Sequence, residues 1–345
     1  MEGAPHARLT GRWTSGAARR ILAGAPMTLA ERSHAASVVA DRPDFFDQLI
    51  TQARALPPTP VAVAYPVTDV ALEGAVLAAQ QGLVDAVLVG PEARIRAVAA
   101  KASLDLGGAS FVDADDDEDA ARKSVALCKA GRARALMKGS LHTDVLMHAA
   151  LASDAGLRTA RRVSHVFVLD APAYPRLLFV TDAAINIYPT LDDKVDILKN
   201  AIDLAHALGI AQPKVAILSA VETVSPKIAS TIDAAALCKM VDRGQITGAV
   251  VDGPLAFDTA VSAGAAAIKG LASPVAGAAD VLLVPDLESG NMLAKQLEYL
   301  GGAELAGIVV GARVPIVLTS RADSARSRLA SCAVAALCAH HRAQP

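Results

Sequence analysis

The chain has 345 residues, 53% hydrophobic and 3% aromatic, with 33 Lys and Arg against 35 Asp and Glu. That apolar content excludes a wholly disordered chain, and a net charge of -2 offers no electrostatic footprint for nucleic acid or an anionic membrane. The length is ample for a full core and points to about two domains, while scarce aromatics and Ala-rich stretches alternating with Val/Ile/Leu runs exclude an all-β chain.

Residues 1–42 stand apart. Arg8, Arg12, Arg19, Arg20, Arg32 and Arg42 face only Glu2, Glu31 and Asp41. Such a composition resembles an organelle transit peptide. A general Ala and Arg bias explains it equally, and we read the segment as a loosely ordered N-terminal extension. From Val61 onward the rhythm is regular. Apolar runs at 61–65, 86–89, 135–137, 165–169, 177–180, 215–218, 249–251, 281–284, 308–310 and 316–318 are followed in most cases by Gly, Pro, Asp or Ser. Continuous runs of this length predict strands buried on both faces, and the helical patterns between them predict βα units with a mostly parallel sheet. The turn 171–176 is too short and too Pro-containing for a helix, so 165–169 and 177–180 predict an antiparallel hairpin. The acids Asp113, Asp115, Asp116, Asp117, Glu118 and Asp119 precede a helix over 120–129, where carboxylates favour the N-terminus. Asp192 and Asp193 open another over 194–208, ended by Gly209. The four cysteines, Cys128, Cys238, Cys332 and Cys338, lack metal-site spacing and read as reduced, small core residues of a cytoplasmic protein. No apolar run approaches the roughly 18 residues that span a bilayer.

Ligands of open parallel sheets gather beyond the carboxyl ends of strands. Lys138, Gly139, Ser140, His142 and Thr143 follow one run. Thr181, Asp182 and Asn186 follow another, as do Asp252, Gly253, Pro254 and Asp258. Asp286, Gly290, Asn291 and Lys295 follow a further run, and Thr319, Ser320, Arg321 and Asp323 follow the last. Glycines, hydroxyls and cations of this kind suit phosphate, held by backbone N–H groups with a cationic clamp. The carboxylates suit proton abstraction. There is no Walker loop, no GxGxxG opening a helix and no GxSxG elbow. Ser320 with Asp323 has equally the spacing of a helix capping box.

Several segments carry a resemblance when taken in order. They are Leu-Met-Lys-Gly-Ser (136–140), Ser-His-Val-Phe (164–167), Thr-Asp-Ala-Ala-Ile-Asn (181–186), Lys-Val-Ala-Ile-Leu-Ser (214–219), Val-Asp-Gly-Pro-Leu-Ala-Phe-Asp (251–258), Ser-Gly-Asn-Met (289–292) and Leu-Thr-Ser-Arg-Ala-Asp (318–323). From about 61 to 336 the chain resembles the phosphate acetyltransferase / phosphate butyryltransferase family, with the last segment closer to the butyryltransferase branch. The resemblance implies two α/β domains around a cleft, in an arrangement similar to the isocitrate dehydrogenase-type fold. Residues 43–156 plus 303–345 would form the first domain and 157–302 the second. It implies a homodimer and the reaction acyl-CoA plus phosphate giving acyl phosphate plus CoA, with an acetyl or butyryl group. Coenzyme A would be a substrate, with no metal or other cofactor. Ser320 would stabilise the transition state and Arg321 would hold phosphate. Asp323 or Asp258 would be the base, and Lys138, Gly139, Ser140, Thr143, Gly290, Asn291 and Lys295 would bind phosphate and CoA. The acetyltransferase branch places an aspartate where this chain has Ser327 and an arginine where it has Met147. Two other readings compete: a nicotinamide-dependent dehydrogenase on a similar fold, which needs a metal-binding carboxylate cluster, and a catalytically idle CoA-binding paralogue.

Overall fold

The apolar runs become strands of one sheet, and the Ala-rich stretches between them become the helices that cover it. A computed structural model describes residues 42–153, 156–320 and 322–343. The expected N-terminal extension, Arg42 apart, lies outside the described residues, as does Arg321.

The chain enters through α1 (Phe45–Arg54), capped by the Asp44 carboxylate on the Asp47 N–H and burying Phe46, Leu49, Ile50 and Ala53. Then come β1 (Thr59–Ala64), α2 (Asp69–Gln80), β2 (Val84–Val89), α3 (Glu92–Lys101), β3 (Ser110–Val112), α4 (Asp117–Lys129), β4 (Ala135–Lys138) and α5 (Thr143–Leu151). The hairpin β5 (Ser164–Asp170) and β6 (Leu178–Thr181) follows, then α6 (Leu191–Ala207), β7 (Lys214–Leu218), α7 (Ala229–Asp242), β8 (Val250–Leu255), α8 (Phe257–Val261), α9 (Ala263–Ile268), β9 (Val281–Leu283) and α10 (Leu287–Tyr299). The chain closes with β10 (Glu304–Val310), β11 (Ile316–Val317) and α11 (Ala325–His341). This is the expected α/β class, and residues 43–345 pack as one compact unit.

The eleven strands run β3-β2-β1-β4-β11-β10-β5-β6-β9-β7-β8. On one side β3, β2, β1, β4 and β11 are mutually parallel. On the other, β6, β9, β7 and β8 are mutually parallel. Between them β10 is antiparallel to both β11 and β5, and β5 is antiparallel to β6, as the hairpin reading expected. The net effect is a reversal. The carboxyl ends of β6, β9, β7 and β8 lie at the edge of the sheet opposite those of β1, β4 and β11.

Two expectations are corrected, and one strand is added. Asp252, Gly253 and Pro254 do not follow a strand. They lie within β8, which carries an irregular register against β7 and approaches so closely that a Cβ on Gly253 would sit 2.8 Å from the Ile217 carbonyl oxygen. The short strand β3 went unread, because only two of its residues, Phe111 and Val112, are apolar and both are half-buried at the sheet edge. Ser320 caps no helix: α11 begins later, with the Ser324 hydroxyl accepting from the Ser327 N–H at 3.0 Å.

Helix α11 is buried nearly all round, from Ala330 to Ala339, and its Ala, Ser and Cys residues allow close approach to α1, α2 and β10. Cys128, Cys332 and Cys338 are buried and free, and Cys238 is half-buried and free. Desolvation pushes the Cys128 and Cys332 thiols up to about 12. Among the described residues, no helix is long and apolar enough to cross a membrane.

Candidate active site

Beyond β4 the chain turns against the end of β1. The Gly139 N–H donates to the Ala64 carbonyl at 2.9 Å, and the Ser140 N–H donates to the Tyr65 carbonyl at 2.9 Å. A Cβ on Gly139 would lie 2.3 Å from the Ala64 oxygen and 2.7 Å from the Tyr65 carbonyl carbon, so only glycine fits this turn. Tyr65 itself adopts φ 56, an uncommon conformation for a non-glycine residue. The Ser140 hydroxyl accepts from the Val67 N–H at 3.1 Å and contacts the Thr68 hydroxyl at 2.9 Å. Thr68 stands at the N-cap of α2 without bonding any α2 amide through its side chain. The Lys138 ammonium donates to the Gly139 and Leu141 carbonyls, each at 3.4 Å.

The neighbouring strand end supplies the second wall. Thr319 and Ser320 follow β11, which pairs in parallel with β4. The Ser320 N–H donates to the Asp323 carboxylate at 2.7 Å, and the Ser320 hydroxyl accepts from the Ala322 N–H at 3.3 Å. Burial pushes the Asp323 carboxyl above its ordinary value; the Ser320 N–H and the charges of Lys295 and Arg328 oppose that push, and Glu298 adds to it. Together these elements enclose a cleft of about 350 Å³, lined by Thr68–Ala71 of the α2 start, Lys138, Gly139, Ser140, Thr319, Ser320 and Arg328. A larger groove of about 790 Å³ lies between α4 and α5, over Val125, Val145 and Ala149. We place the site in the smaller cleft, because the strand-end hydroxyls, the lysine and the glycine turn converge there.

Of the residues singled out in the sequence, the structure brings Lys138, Gly139, Ser140 and Ser320 together, with Asp323 bonded to Ser320. Thr143 opens α5 just past this turn. Lys295 of α10 reaches the electrostatic surroundings of Asp323 and pairs with Glu298 at 2.7 Å. Gly290 and Asn291 are not brought to the cleft. They pack where β6 ends: a Cβ on Gly290 would lie 3.0 Å from the Asp182 carbonyl oxygen, and the Asn291 amide donates to the Ala183 carbonyl at 3.1 Å. Asp258 is not brought there either. It follows β8, with β10, β5, β6, β9 and β7 between it and β11, and is paired with Lys269 at 3.0 Å, which holds its carboxyl below the usual range.

The Thr181–Asn186 segment has a structural part to play. The Asp182 carboxylate accepts from the N–H groups of His165, Ala184, Ile185 and Asn186 and from the Asn186 side-chain amide, tying the end of β6 to the start of β5. His165 is buried there, and desolvation lowers its imidazole to about 4 against the pull of Asp182. Sequence reasoning missed Arg328, which is buried in the cleft wall. Its signal was a second arginine, one residue past Ser327 and two past Arg326, just ahead of the apolar stretch of the helix. Among the described residues, no three His, Cys, Asp or Glu side chains gather as a metal site would.

An α/β sheet whose adjacent strand ends offer a glycine-tight turn, hydroxyls and cations defines a transferase-like site for an anionic substrate. The sequence model described as phosphate acetyl/butaryl transferase matches residues 117–336. A phosphate acetyltransferase of Rhizobium meliloti is 61% identical over 301 residues, covering 87% of this chain and 95% of that protein. A phosphate butyryltransferase of Clostridium acetobutylicum is 43% identical over 297 residues, covering 86% and 99%. The crystal structure of a branched-chain phosphotransacylase from Enterococcus faecalis V583 superposes with a TM-score of 0.71 at 31% identity, covering 82% of this chain and 99% of that one. The chain belongs to the phosphate acetyl/butaryl transferase family. It is a phosphate acyltransferase.

Proposed function

We propose that the chain moves an acetyl or butyryl group between coenzyme A and inorganic phosphate in the cleft between β4 and β11. The observation that carries this reading is the convergence of Lys138, Gly139, Ser140 and Ser320 on one strand edge. In the direction of phosphorolysis, a phosphate oxygen attacks the thioester carbonyl carbon, the carbon–sulfur bond breaks, and the CoA thiolate leaves and takes up a proton. In reverse, the thiol must first lose that proton, because the thiolate is the nucleophile. Asp323 is the acceptor we favour, because its carboxylate takes a hydrogen bond from the Ser320 N–H at the cleft. Asp258 is the weaker choice, because it is paired with Lys269 on the far side of the sheet. The Ser320 hydroxyl donates to the oxyanion, Arg321 holds phosphate, and Lys295 and Thr143 extend the site toward CoA. No covalent acyl-enzyme is needed, so transfer is direct in a ternary complex.

We take residues 43–156 with 303–345 and residues 157–302 as two halves that close on the substrates. We take the assembly to be a cytoplasmic homodimer with CoA as substrate and no other cofactor. The relatives named acetyl- and butyryltransferase, at 61% and 43% identity, make acetyl-CoA and butyryl-CoA the donors to compare. The test is phosphorolysis of acyl-CoA across chain lengths, following free thiol. Thiol release strictly dependent on phosphate is expected, and its absence with every donor would end the reading.

A further inference from the structure

Arg328 has no part in the mechanism so far. It stands one turn into α11 and is 5% exposed, yet its side chain lines the cleft with Lys138, Ser140 and Ser320. A guanidinium keeps its charge throughout the pH range of a folded protein, so Arg328 brings a fixed positive charge to this wall. The acids around the cleft make that charge matter. Phosphate entering here meets the Asp69 carboxylate at the start of α2 and the Asp323 carboxylate beside Ser320. Lys138 on the cleft wall, even with the Arg321 assigned above to phosphate, supplies two positive charges against two carboxylates and a phosphate dianion. Arg328 adds a planar, two-donor cation on the same wall.

The neighbouring helix is shaped around this side chain. A Cβ on Gly74 would lie 2.9 Å from Arg328 Cδ and 3.5 Å from Arg328 Cβ. Glycine inside a helix is weaker than alanine. At position 74, inside the twelve-residue α2, that weakness coincides with the path of the arginine stem.

We propose that Arg328 is a phosphate-binding residue of the reaction, its guanidinium holding phosphate oxygens at the cleft wall and Gly74 keeping its path clear. The proposal rests on the acyltransferase reading of the same cleft. The full-length chain carries the test, as Arg328→Met, Arg328→Lys and Gly74→Ala. Phosphorolysis of acetyl-CoA is measured against phosphate concentration, and inorganic phosphate alone is titrated by calorimetry. For Arg328→Met we expect the KM and Kd for phosphate to rise about tenfold or more, with the KM for acetyl-CoA within about twofold. Arg328→Lys should recover part of the loss. Gly74→Ala should raise both phosphate constants while melting no lower than wild type. A merely structural arginine would shift the melting temperature and leave the phosphate constants alone. Folded Arg328→Met with wild-type phosphate constants overturns the proposal. Should that variant not fold, the same result for Arg328→Lys and Gly74→Ala overturns it. The two readings fail separately: a wild type that binds phosphate through Arg328 but releases no thiol refutes the acyltransferase reading and upholds the phosphate ligand.

Discussion

Asp323 shows how one side chain can set stability against chemistry. Burial raises its carboxyl, so folding disfavours the ionised form relative to the unfolded chain. Between the ordinary carboxylate value and the raised one, the folded state binds more protons than the unfolded state, and stability falls as pH rises through that window. The ionised form is nonetheless the one that can take a thiol proton. A side-chain amide in place of the acid would still accept from the Ser320 N–H but would carry no charge to desolvate. We therefore expect Asp323→Asn to melt at or above the wild-type temperature at neutral pH. Its turnover should fall by roughly 10²–10⁴, and the rise of activity with Asp323 ionisation should vanish from its pH profile. A folded variant with unchanged turnover takes the base away from Asp323. Gly139→Ala tests the turn beside it. The new Cβ would meet only backbone atoms, 2.3 to 2.7 Å away, which cannot swing aside. A stability loss of about 1–3 kcal/mol is expected by urea unfolding, with activity lost in the fraction that stays folded. Ser320 was picked out in the sequence as a residue following an apolar run, and it lines the cleft, whereas Arg328 was passed over, because an arginine in a helix looks the same whether it faces solvent or a cleft.

At the scale of elements, what was readable was what is local. β1, β4, β5 and β7 stood out as unbroken apolar runs because both faces of the sheet are covered: over β1 and β4 by α1, α2 and α11 on one side and by α4 and α5 on the other, and over β7 by α6 and α7 on one side and by α8 and α10 on the other. The antiparallel β5–β6 hairpin was readable, but the reversal of the whole sheet was not, because it also needs β10 against β5, a pairing between residues more than a hundred positions apart. Reading each run's following residues as one gathered site therefore pooled two opposite edges, and Gly290, Asn291 and Asp258 belong to the edge away from the cleft. Helix starts were legible where acids cluster. α6 begins with a capping box, in which the Thr190 hydroxyl accepts from the Asp193 N–H at 3.2 Å and the Asp193 carboxylate accepts from the Thr190 N–H at 2.9 Å. Burial pushes the Asp193 carboxyl up, but the Thr190 bonds and Arg162 more than reverse this and leave it lowered. Thr190→Ala should cost about 1 kcal/mol in urea unfolding and leave phosphorolysis unchanged, because Thr190 does not line the cleft. The part of that difference that comes through Asp193 is present above the ordinary carboxylate value and fades as pH falls through the lowered one. A loss of turnover in this variant would tie α6 to the chemistry.

For the whole molecule, the boundary that matters is where the folded chain must begin. The composition of residues 1–42 separates them from the rest, and the compact unit starts at Pro43. The first helix after that point is not expendable. Phe46 is fully buried, and Leu49, Ile50 and Ala53 are at most 5% exposed, packed into the core that α11 shares with β1 and β10. Arg326 of α11 is paired with Asp44, with Asp47 at 2.8 Å and with Glu304 at 2.7 Å, so α1 is tied to the last helix by charge as well as by packing. Burying a large apolar side chain stabilises by about 1.5–3 kcal/mol, so α1 supplies on the order of 5 kcal/mol, comparable with the whole stability of many domains. A chain beginning at Pro43 should therefore express in soluble form, melt within about 2 °C of full length and retain phosphorolysis, because a shift of that size corresponds to well under 1 kcal/mol. A chain beginning at Leu56 should not fold, since it exposes the face of α11 that α1 covers and leaves Arg326 without two of its three carboxylates. Expression, thermal melting and thiol release from acetyl-CoA on the two truncations decide the matter. Loss of soluble protein or of activity in the Pro43 chain would make the Arg-rich segment part of the working enzyme, and a stable Leu56 chain would show that α11 needs no cover from α1.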